Sequence, residues 1–545
     1  MKSVDLLLTL GHNSSAIAVY DGQILAGYEE ERITRKKSDS RFPENAIYQC
    51  MQQAKRNGIE EVDRIYVTHW AVDGRLASMS QKHWRPDLLP HHKKLITHEN
   101  SGMSHHDTHA RAADWYAFGE PGMPRDGTMY LVIDGFGNFG EHISIYRSTG
   151  FGPQLVRRMF GYDGSLGLMY QYMTAFLGMK QHEDEYKILG YEAHINEVVV
   201  DLGALHRLIN NEITRYVDSY FDKKMFAVND PVIRLDALPN HQKKMVERWE
   251  KVCQRLDISS PTSYEARVVL GYFVQAVLEG VVLTLINIYR PTNLICSGGV
   301  FYNVKLNRRI LDVLPGKLCV YPLAGDQGNA LGLYASENEL KWPGHLNWGH
   351  RPSAYKDLIS LNPTPNFTVV PDYSDALEHM QESLKDTGWV NLVRGAMEFG
   401  PRALCNTSTI ALPQPGIVQE INRANGRNTI MPMAPVMSSS EYKSRMMHTD
   451  RIHMSHKHMI VALPYSFRGD RNILGAVHQY EQENTGRPQV LDNDVLMSRL
   501  LVDHPVLINT SFNVHGQPIV FDLQSALHSH LIQGSFAPTI YVEAP

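Results

Sequence analysis

At 545 residues the chain is longer than a single hydrophobic core sustains, so two or three domains are expected. A composition 43% hydrophobic and 20% charged excludes a disordered or fibrous chain. The net charge of −5 excludes a broad nonspecific nucleic-acid footprint, although a local basic patch stays compatible with it.

The chain enters directly on a strand-like run, residues 5–10, with no basic segment ahead of an apolar core. No signal peptide is expected, and a cytoplasmic location follows from that reading. Five scattered cysteines (Cys50, Cys253, Cys296, Cys319, Cys405), odd in number and without a C-x-x-C, fit reduced thiols. Residues 6–10 read as a buried strand, followed by the polar turn G-H-N-S-S. Residues 16–20 form a second strand, Asp21-Gly22 signals a hairpin, and residues 24–28 return as a third. The charged run E-E-E-R-I-T-R-K-K follows; for Arg35, Lys36 and Lys37 a solvated face is the favoured reading. Pro43 then marks a helix start.

Residues 104–110 read S-H-H-D-T-H-A and lead into good helix formers. On a helix His105 and His109 share a face and could hold one metal ion, although 26 histidines make chance pairs common. His106 points elsewhere. Residues 129–133 are an apolar strand, D-G-F-G (134–137) a Gly-rich turn, and residues 142–147 another strand. The strand, turn, strand pattern thus recurs at a spacing of about 125 residues. Such turns, with Gly135 and Gly137 beside Asp134, let backbone N–H groups and a carboxylate approach phosphate or metal. Residues 271–289 are the longest apolar run; Gln275 and Glu279 interrupt it, and a buried helix is expected, not a membrane span. Two further strand-to-Gly-rich-loop junctions follow, S-G-G-V-F-Y-N (297–303) and A-G-D-Q-G-N-A-L-G (324–332), the latter with Gly325 and Asp326. Gly-rich loops that open helices are natural anion sites. Together they suggest a duplicated ATP-binding α/β domain.

Residues 342–366 are polar and Pro-containing. The expected division is a domain over 1–345, a linker over 346–372 and a second α/β domain over 373–545. The second domain carries R-G-A-M-E-F-G-P-R-A-L-C-N-T-S (394–408), T-G-R-P-Q-V (485–490) and L-I-N-T-S-F-N-V-H-G-Q-P-I-V (507–520). Its arginines would suit bidentate anion contacts if several converge.

In this order the motifs resemble the NodU/CmcH carbamoyltransferase family, from about residue 6 to about residue 526. The most specific are E-F-G-P-R-A-L, N-T-S-F-N with G-Q-P-I-V, G-G-V-F-Y-N-V-K-L-N, H-H-D-T-H-A and D-G-F-G; D-E-Y-K-I-L-G (184–190) also fits, with Leu189 in a methionine's place. The resemblance implies an N-terminal duplicated actin/Hsp70-like ATPase domain of the TsaD type. It also implies a C-terminal YrdC-like domain that joins carbamoyl phosphate and ATP into carbamoyl-adenylate. The first domain would then pass the carbamoyl group to an acceptor hydroxyl, making the protein a transferase of one-carbon groups.

Matched position by position, the resemblance implies His105, His109 and Asp326 as metal ligands, with Asp134 beside them. The metal would be iron(II), with manganese or magnesium as alternatives. It implies Gly298, Gly299 and Asn303 as nucleotide contacts and His12, with Lys36 nearby, and Asp134 as catalytic groups. Arg402, Arg427, Arg487, Asn509 and Asn513 would bind carbamoyl phosphate or the adenylate. Thr407 stands where the family has Arg, Asn428 lies in a shortened motif, and His515 stands where Arg is common. The anion pocket should therefore be less basic than usual. The acceptor is unwritten: a sugar, a natural product or, as a minority reading suggested by His83, Trp84, Arg85, His91, His92, Lys93 and Lys94, a hydroxymethylated pyrimidine in DNA. A threonylcarbamoyl-type tRNA modification enzyme and a silent ATP-binding regulatory module are the alternatives. No membrane association is expected, and a homodimer is.

Overall fold

The computed structural model describes residues 2–221, 237–351, 364–427, 433–466, 473, 475–480, 483–534 and 536–543. In its first half, β1 (Ser3–Thr9), β2 (Ser15–Tyr20), β3 (Gln23–Glu29), β4 (Glu61–Thr68) and β5 (Lys94–Thr97) form one sheet, in the order β3-β2-β1-β4-β5. A second sheet comprises β6 (Thr128–Ile133), β7 (Glu141–Thr149), β8 (Gly152–Phe160), β9 (Asn293–Ser297) and β10 (Leu318–Val320), in the order β8-β7-β6-β9-β10. The two orders are identical. In each, the first three strands pair antiparallel and the last two join in parallel. The duplicated pattern in the sequence is therefore a duplicated fold. β1 is buried along nearly its whole length, which is why it reads as an unbroken apolar run. Asp21 and Gly22 both take left-handed φ, 49° and 68°, as the tight hairpin between β2 and β3 requires.

The helices of this half are α1 (Glu30–Thr34), α2 (Glu44–Arg56), α3 (His98–Ser101), α4 (His105–Ala117), α5 (Leu166–Phe176), α6 (Glu185–Tyr191), α7 (Leu202–Phe221), α8 (Ala237–Arg255), α9 (Tyr264–Tyr289), α10 (Val304–Val313) and α11 (Asn329–Ala335). Helices α5 to α9 fill the connection from β8 to β9, where the first repeat has only α1 and α2. Among the described residues α9 alone is long and apolar enough to cross a membrane, but 72% of its most apolar window is buried against neighbouring helices. It is a core helix. Helix α4 packs on α11, whose Gly332 permits the contact: an added Cβ would lie 2.0 Å from the Thr108 carbonyl oxygen.

The second half is built on β11 (Phe367–Val370), α12 (Tyr373–Asp386), β12 (Trp389–Val393), β13 (Thr407–Ala411), α13 (Ile417–Ala424), β14 (Ala434–Met437), α14 (Ser439–Arg445), β15 (Leu463–Pro464), β16 (His478–Tyr480), β17 (Glu483–Gly486), β18 (Gln489–Val490), α15 (Val495–Asp503), β19 (Val506–Ser511), α16 (Leu523–Gln533) and β20 (Thr539–Val542). Seven strands make a mixed sheet in the order β11-β20-β12-β13-β19-β14-β18, and β15, β17 and β16 form a small separate one.

Two expectations change here. Residues 346–350, read as the start of a linker, tie the halves together. Met397 N donates to His350 O at 2.8 Å, Phe399 N to Leu346 O at 2.7 Å, and Gly27 N on β3 to Trp348 O at 3.0 Å. Buried Leu346 and Trp348, the latter stacked on Phe399 at 5.3 Å, outweigh the polar composition around them. Residues 352–363 of that expected linker, and Asn428, lie outside the described residues. Arg35 is not part of a solvated face: it donates to Pro518 O at 2.7 Å and Ile519 O at 2.6 Å in the second half.

Candidate active site

Ser104 caps α4. Its hydroxyl accepts from Asp107 N at 3.2 Å, and Asp107 Oδ2 accepts from Ser104 N at 2.8 Å. The helix therefore begins where the histidines begin, and His105 and His109 share one face, with Nε2 atoms 3.3 Å apart. Asp134 follows β6, and Asp326 stands on the turn after β10. His105 Nε2 lies 3.4 Å from Asp134 Oδ2 and 3.1 Å from Asp326 Oδ1; His109 Nε2 lies 3.6 and 3.4 Å from the same atoms. One ligand atom from each of the four falls within 4.8 Å of the others.

Burial opposes ionisation of Asp134 and Asp326, yet the neighbouring histidines more than offset it and hold both carboxyls below their ordinary range. Burial likewise disfavours charge on His105, and Asp326 and Asp134 overturn that and raise it. Two ionised carboxylates and two imidazoles converging in a buried space are a donor set that suits a divalent cation. His109 Nδ1 is held by Ser297 Oγ at 3.2 Å, the outer contact that fixes a ligand ring. His106 turns away to Ser144 Oγ, 2.8 Å from its Nδ1.

His12 stands in the turn after β1, the first repeat's counterpart of the turn that Asp134 opens after β6. Its Nδ1 lies 3.8 Å from Asp326 Oδ2, and its side chain is 44% exposed, open to an incoming molecule. Lys36 is exposed on the turn after α1, and no hydrogen bond or ion pair connects it with this group among the described residues. Gly135 and Gly137 follow Asp134, and Gly325 precedes Asp326. Gly298 and Gly299 run closely under β6: a Cβ on Gly299 would come 3.1 Å from Asp134 Oδ1. Asn303 is engaged within the protein. It caps α10 by accepting from Leu306 N at 2.9 Å, and its amide donates to Gln275 at 2.7 Å.

In the second half, Arg402 stands beside Arg487. Burial, then Arg402, lowers the Arg487 guanidinium to about 9, and burial lowers Arg402 and Arg427 also. No acid forms an ion pair with any of the three among the described residues, and the Nε atoms of Arg402 and Arg487 are buried without a partner. Such uncompensated cations suit an anion. Arg427 is aimed by Thr510, Ser511 and Asn513, its Nη2 donating to Asn513 Oδ1 at 2.6 Å. Asn513 spends its amide hydrogens on Val514 O and Gln517 O, so it positions Arg427 and has no donor left for a ligand. Asn509 donates to Ala403 O and Gln489 Oε1, leaving its buried Oδ1 unpartnered. Thr407, in the place of an expected Arg, donates its hydroxyl to buried Glu398 at 2.6 Å. His515 is exposed.

Four groups escaped the sequence reading. Tyr302 accepts from Gln327 Nε2 at 2.8 Å and lies next to Arg402, so one ring spans from the Asp326 loop to the arginines. His182 approaches His12 with ring centroids 5.4 Å apart. His69 and His98 lie behind His105, their ring centroids 4.9 Å from each other and, for His98, 6.3 Å edge-on from His105. His69 and His98 stand directly after β4 and β5, so their strand-end position was the available signal.

A cluster at strand ends of a duplicated half, next to buried arginines of a second half, is the architecture of a two-part α/β enzyme. The chain belongs to the carbamoyltransferase family of NodU/CmcH type: the family model for the carbamoyltransferase N-terminus matches residues 72–334 and that for the C-terminus matches residues 381–535. It is 27% identical to an uncharacterised protein of Methanocaldococcus jannaschii, over 96% of this chain and 95% of that one. It is 26% identical to the nodulation protein NolNO of Sinorhizobium fredii, over 97% of this chain and 78% of that one. It is 27% identical to 3'-hydroxymethylcephem-O-carbamoyltransferase of Amycolatopsis lactamdurans, over 37% of this chain and 38% of that one. The protein is a carbamoyltransferase.

Proposed function

We propose that this carbamoyltransferase is ATP-dependent and works through carbamoyl-adenylate, with a hydroxyl of a small molecule as acceptor. The observation that carries the reading is the bridge of Tyr302 and Gln327 between two unlike sites: buried Arg402 and Arg487 on one side, the histidine and aspartate cluster on the other.

In this reading the second half, of YrdC-like type, makes the donor. Water takes the phosphoryl group from carbamoyl phosphate, leaving carbamate and phosphate. A carbamate oxygen then attacks the α-phosphorus of ATP, and pyrophosphate leaves. Arg402, Arg427 and Arg487 bind and orient the anions, with the Asn509 Oδ1 facing the carbamoyl amide. Adenylation is needed because phosphate is a poorer leaving group toward a neutral alcohol than AMP. In the first half, His105, His109, Asp134 and Asp326 would hold a divalent cation, iron(II) by family resemblance. When bound, it neutralises phosphate charge and polarises a carbonyl. His12 accepts the acceptor's hydroxyl proton as that oxygen attacks the carbamoyl carbon, and AMP departs. Gly298 and Gly299 let the backbone approach the nucleotide. The open side of His12 is where an acceptor would arrive.

The test is pyrophosphate release on mixing the protein, ATP and carbamoyl phosphate, followed by mass spectrometry of candidate hydroxyl acceptors for an added carbamoyl group. ATP bound without pyrophosphate release would sink the adenylate reading. Arg402→Ala should block that release; normal release would remove Arg402 from the donor site.

A further inference from the structure

We propose that the short charged helix α1 is a clasp that shapes the donor pocket of the other half, with Glu29, Arg32 and Arg35 as positioning residues for Arg402 and Arg427. The proposal rests on the donor reading above.

The clasp has two arms. In the first, Gly400 N donates to Glu29 Oε2 at 3.0 Å, and Arg32 Nη2 donates to Gly400 O at 2.7 Å, so both polar groups of one peptide position are held from across the domain boundary. Arg32 Nε and Glu29 Oε2 lie 3.4 Å apart, so the two side chains that grip Gly400 also hold each other. Gly400 takes φ +110°, and an added Cβ would sit 2.5 Å from Leu323 Cδ2, so the turn is confined on its far side as well. Arg402 emerges two residues later.

In the second arm, Arg35 puts both ends of its guanidinium on neighbouring carbonyls, Nη2 on Pro518 O at 2.7 Å and Nη1 on Ile519 O at 2.6 Å. The preceding residue, Gln517, accepts from Asn513 Nδ2 at 2.8 Å, and Asn513 Oδ1 accepts from Arg427 Nη2 at 2.6 Å. The line Arg35, Pro518–Ile519, Gln517, Asn513, Arg427 is continuous. Both arms therefore end on an arginine that has no acid partner among the described residues. A guanidinium that must meet an anion in a fixed pose depends on such outer contacts, because a displacement of about 1 Å loses much of a bidentate contact. Neither Glu29, Arg32 nor Arg35 is placed on a ligand; they act through Gly400 and Pro518–Ile519.

Arg35→Gly is the cleanest test. Arg35 sits at φ +58°, a conformation glycine adopts without strain, so the substitution removes the side chain and leaves the turn. In the full-length protein the KM for carbamoyl phosphate in pyrophosphate release should rise roughly tenfold, with kcat within about twofold, since the hydrogen bonds from a charged group to Pro518 O and Ile519 O are lost along with that to Arg32 O. Arg35→Lys, which keeps one donor, should recover part of the loss. Burial raises the Glu29 carboxyl to about 7, so at pH 8, where it is ionised, Glu29→Gln keeps an acceptor for Gly400 N but not the charge and should raise the same KM severalfold; it serves if Arg35→Gly does not fold. An unchanged KM, or a kcat loss at constant KM, overturns the clasp. If wild-type protein releases no pyrophosphate, the adenylate reading has failed on its own. Calorimetric binding of inorganic phosphate then decides the clasp: weaker binding by Arg35→Gly upholds it, and equal binding, or none by wild type, overturns it.

Discussion

Glu398 is completely buried, and its carboxylate organises the turn that carries Arg402. Oε1 accepts from Leu404 N at 2.6 Å, Asn406 N at 2.8 Å and Thr407 N at 3.2 Å, while Oε2 accepts from the Thr407 hydroxyl at 2.6 Å. Glu398→Ala would strand three N–H groups and a hydroxyl in the interior. At about 1–3 kcal/mol for each stranded group, reduced by whatever water enters the vacated space, the cost should be about 3–6 kcal/mol. Glu398→Gln should cost far less, about 1–2 kcal/mol. The amide oxygen can still accept from the three N–H groups, and the Thr407 hydroxyl can reverse to accept from the new NH2. Urea unfolding followed by tryptophan fluorescence separates the two, since Trp389 and Trp348 lie in or beside this half. If the Ala and Gln variants unfold within about 1 kcal/mol of each other, the turn does not depend on that carboxylate and the reasoning fails.

His109→Ala should lower metal content at equilibrium by at least about 100-fold in affinity, since losing even an outer contact of a ligand costs 10- to 100-fold. It should abolish carbamoyl transfer while leaving pyrophosphate release nearly intact; equal loss of both would show that the two halves do not divide the work as described. Gly298→Ala places a Cβ 2.2 Å from the Ile133 carbonyl oxygen at φ +98°, and about 3 kcal/mol or more of local destabilisation should appear as faster amide exchange along β6 and β9. Burial, with Lys457 adding to it, lowers His456 from 6.5 to about 4 and His458 to about 3. The folded protein then refuses protons that the unfolded chain takes up. Their contribution is full above pH 6.5 and is lost as pH falls from there toward 4, by up to about 3 kcal/mol for each. Urea midpoints at pH 7.5, 6 and 4.5 should fall in that order, and His456→Gln should flatten the decline; a slope unaltered by that substitution would refute it.

How legible the fold is depends on what each segment buries. Residues 6–10 and 129–133 stand out because central strands covered on both faces are unbroken apolar runs, and Asp21-Gly22 because the hairpin demands left-handed backbone. Helices α7 and α8 do not stand out: each shows solvent one face, and neither carries a motif. In the site, His105 and His109 are visible as a helical pair, and Asp326 as an acid in a Gly-rich loop. His69, His98 and His182 carry no local pattern, because only tertiary folding brings them to His105 and His12. Arg35 misleads for a related reason. A run of like charges looks solvated, and nothing in E-E-E-R-I-T-R-K-K says that carbonyls nearly five hundred residues later will cover one of them.

The duplicated fold distributes the site unevenly. All four groups that could hold a cation belong to the second repeat or to α4, which packs on β6, β8, β9 and α11. The first repeat contributes His12, at 3.8 Å from Asp326, and, through β3 and α1, the grip on Gly400. The first repeat also supports the cluster from behind: the Asp326 turn and α11 pack on β1, and Asn138, which holds His105 N, donates to His69 O and Ala71 O. A change in the packing of the first sheet would therefore be felt at the histidine cluster and at the Gly400 turn together.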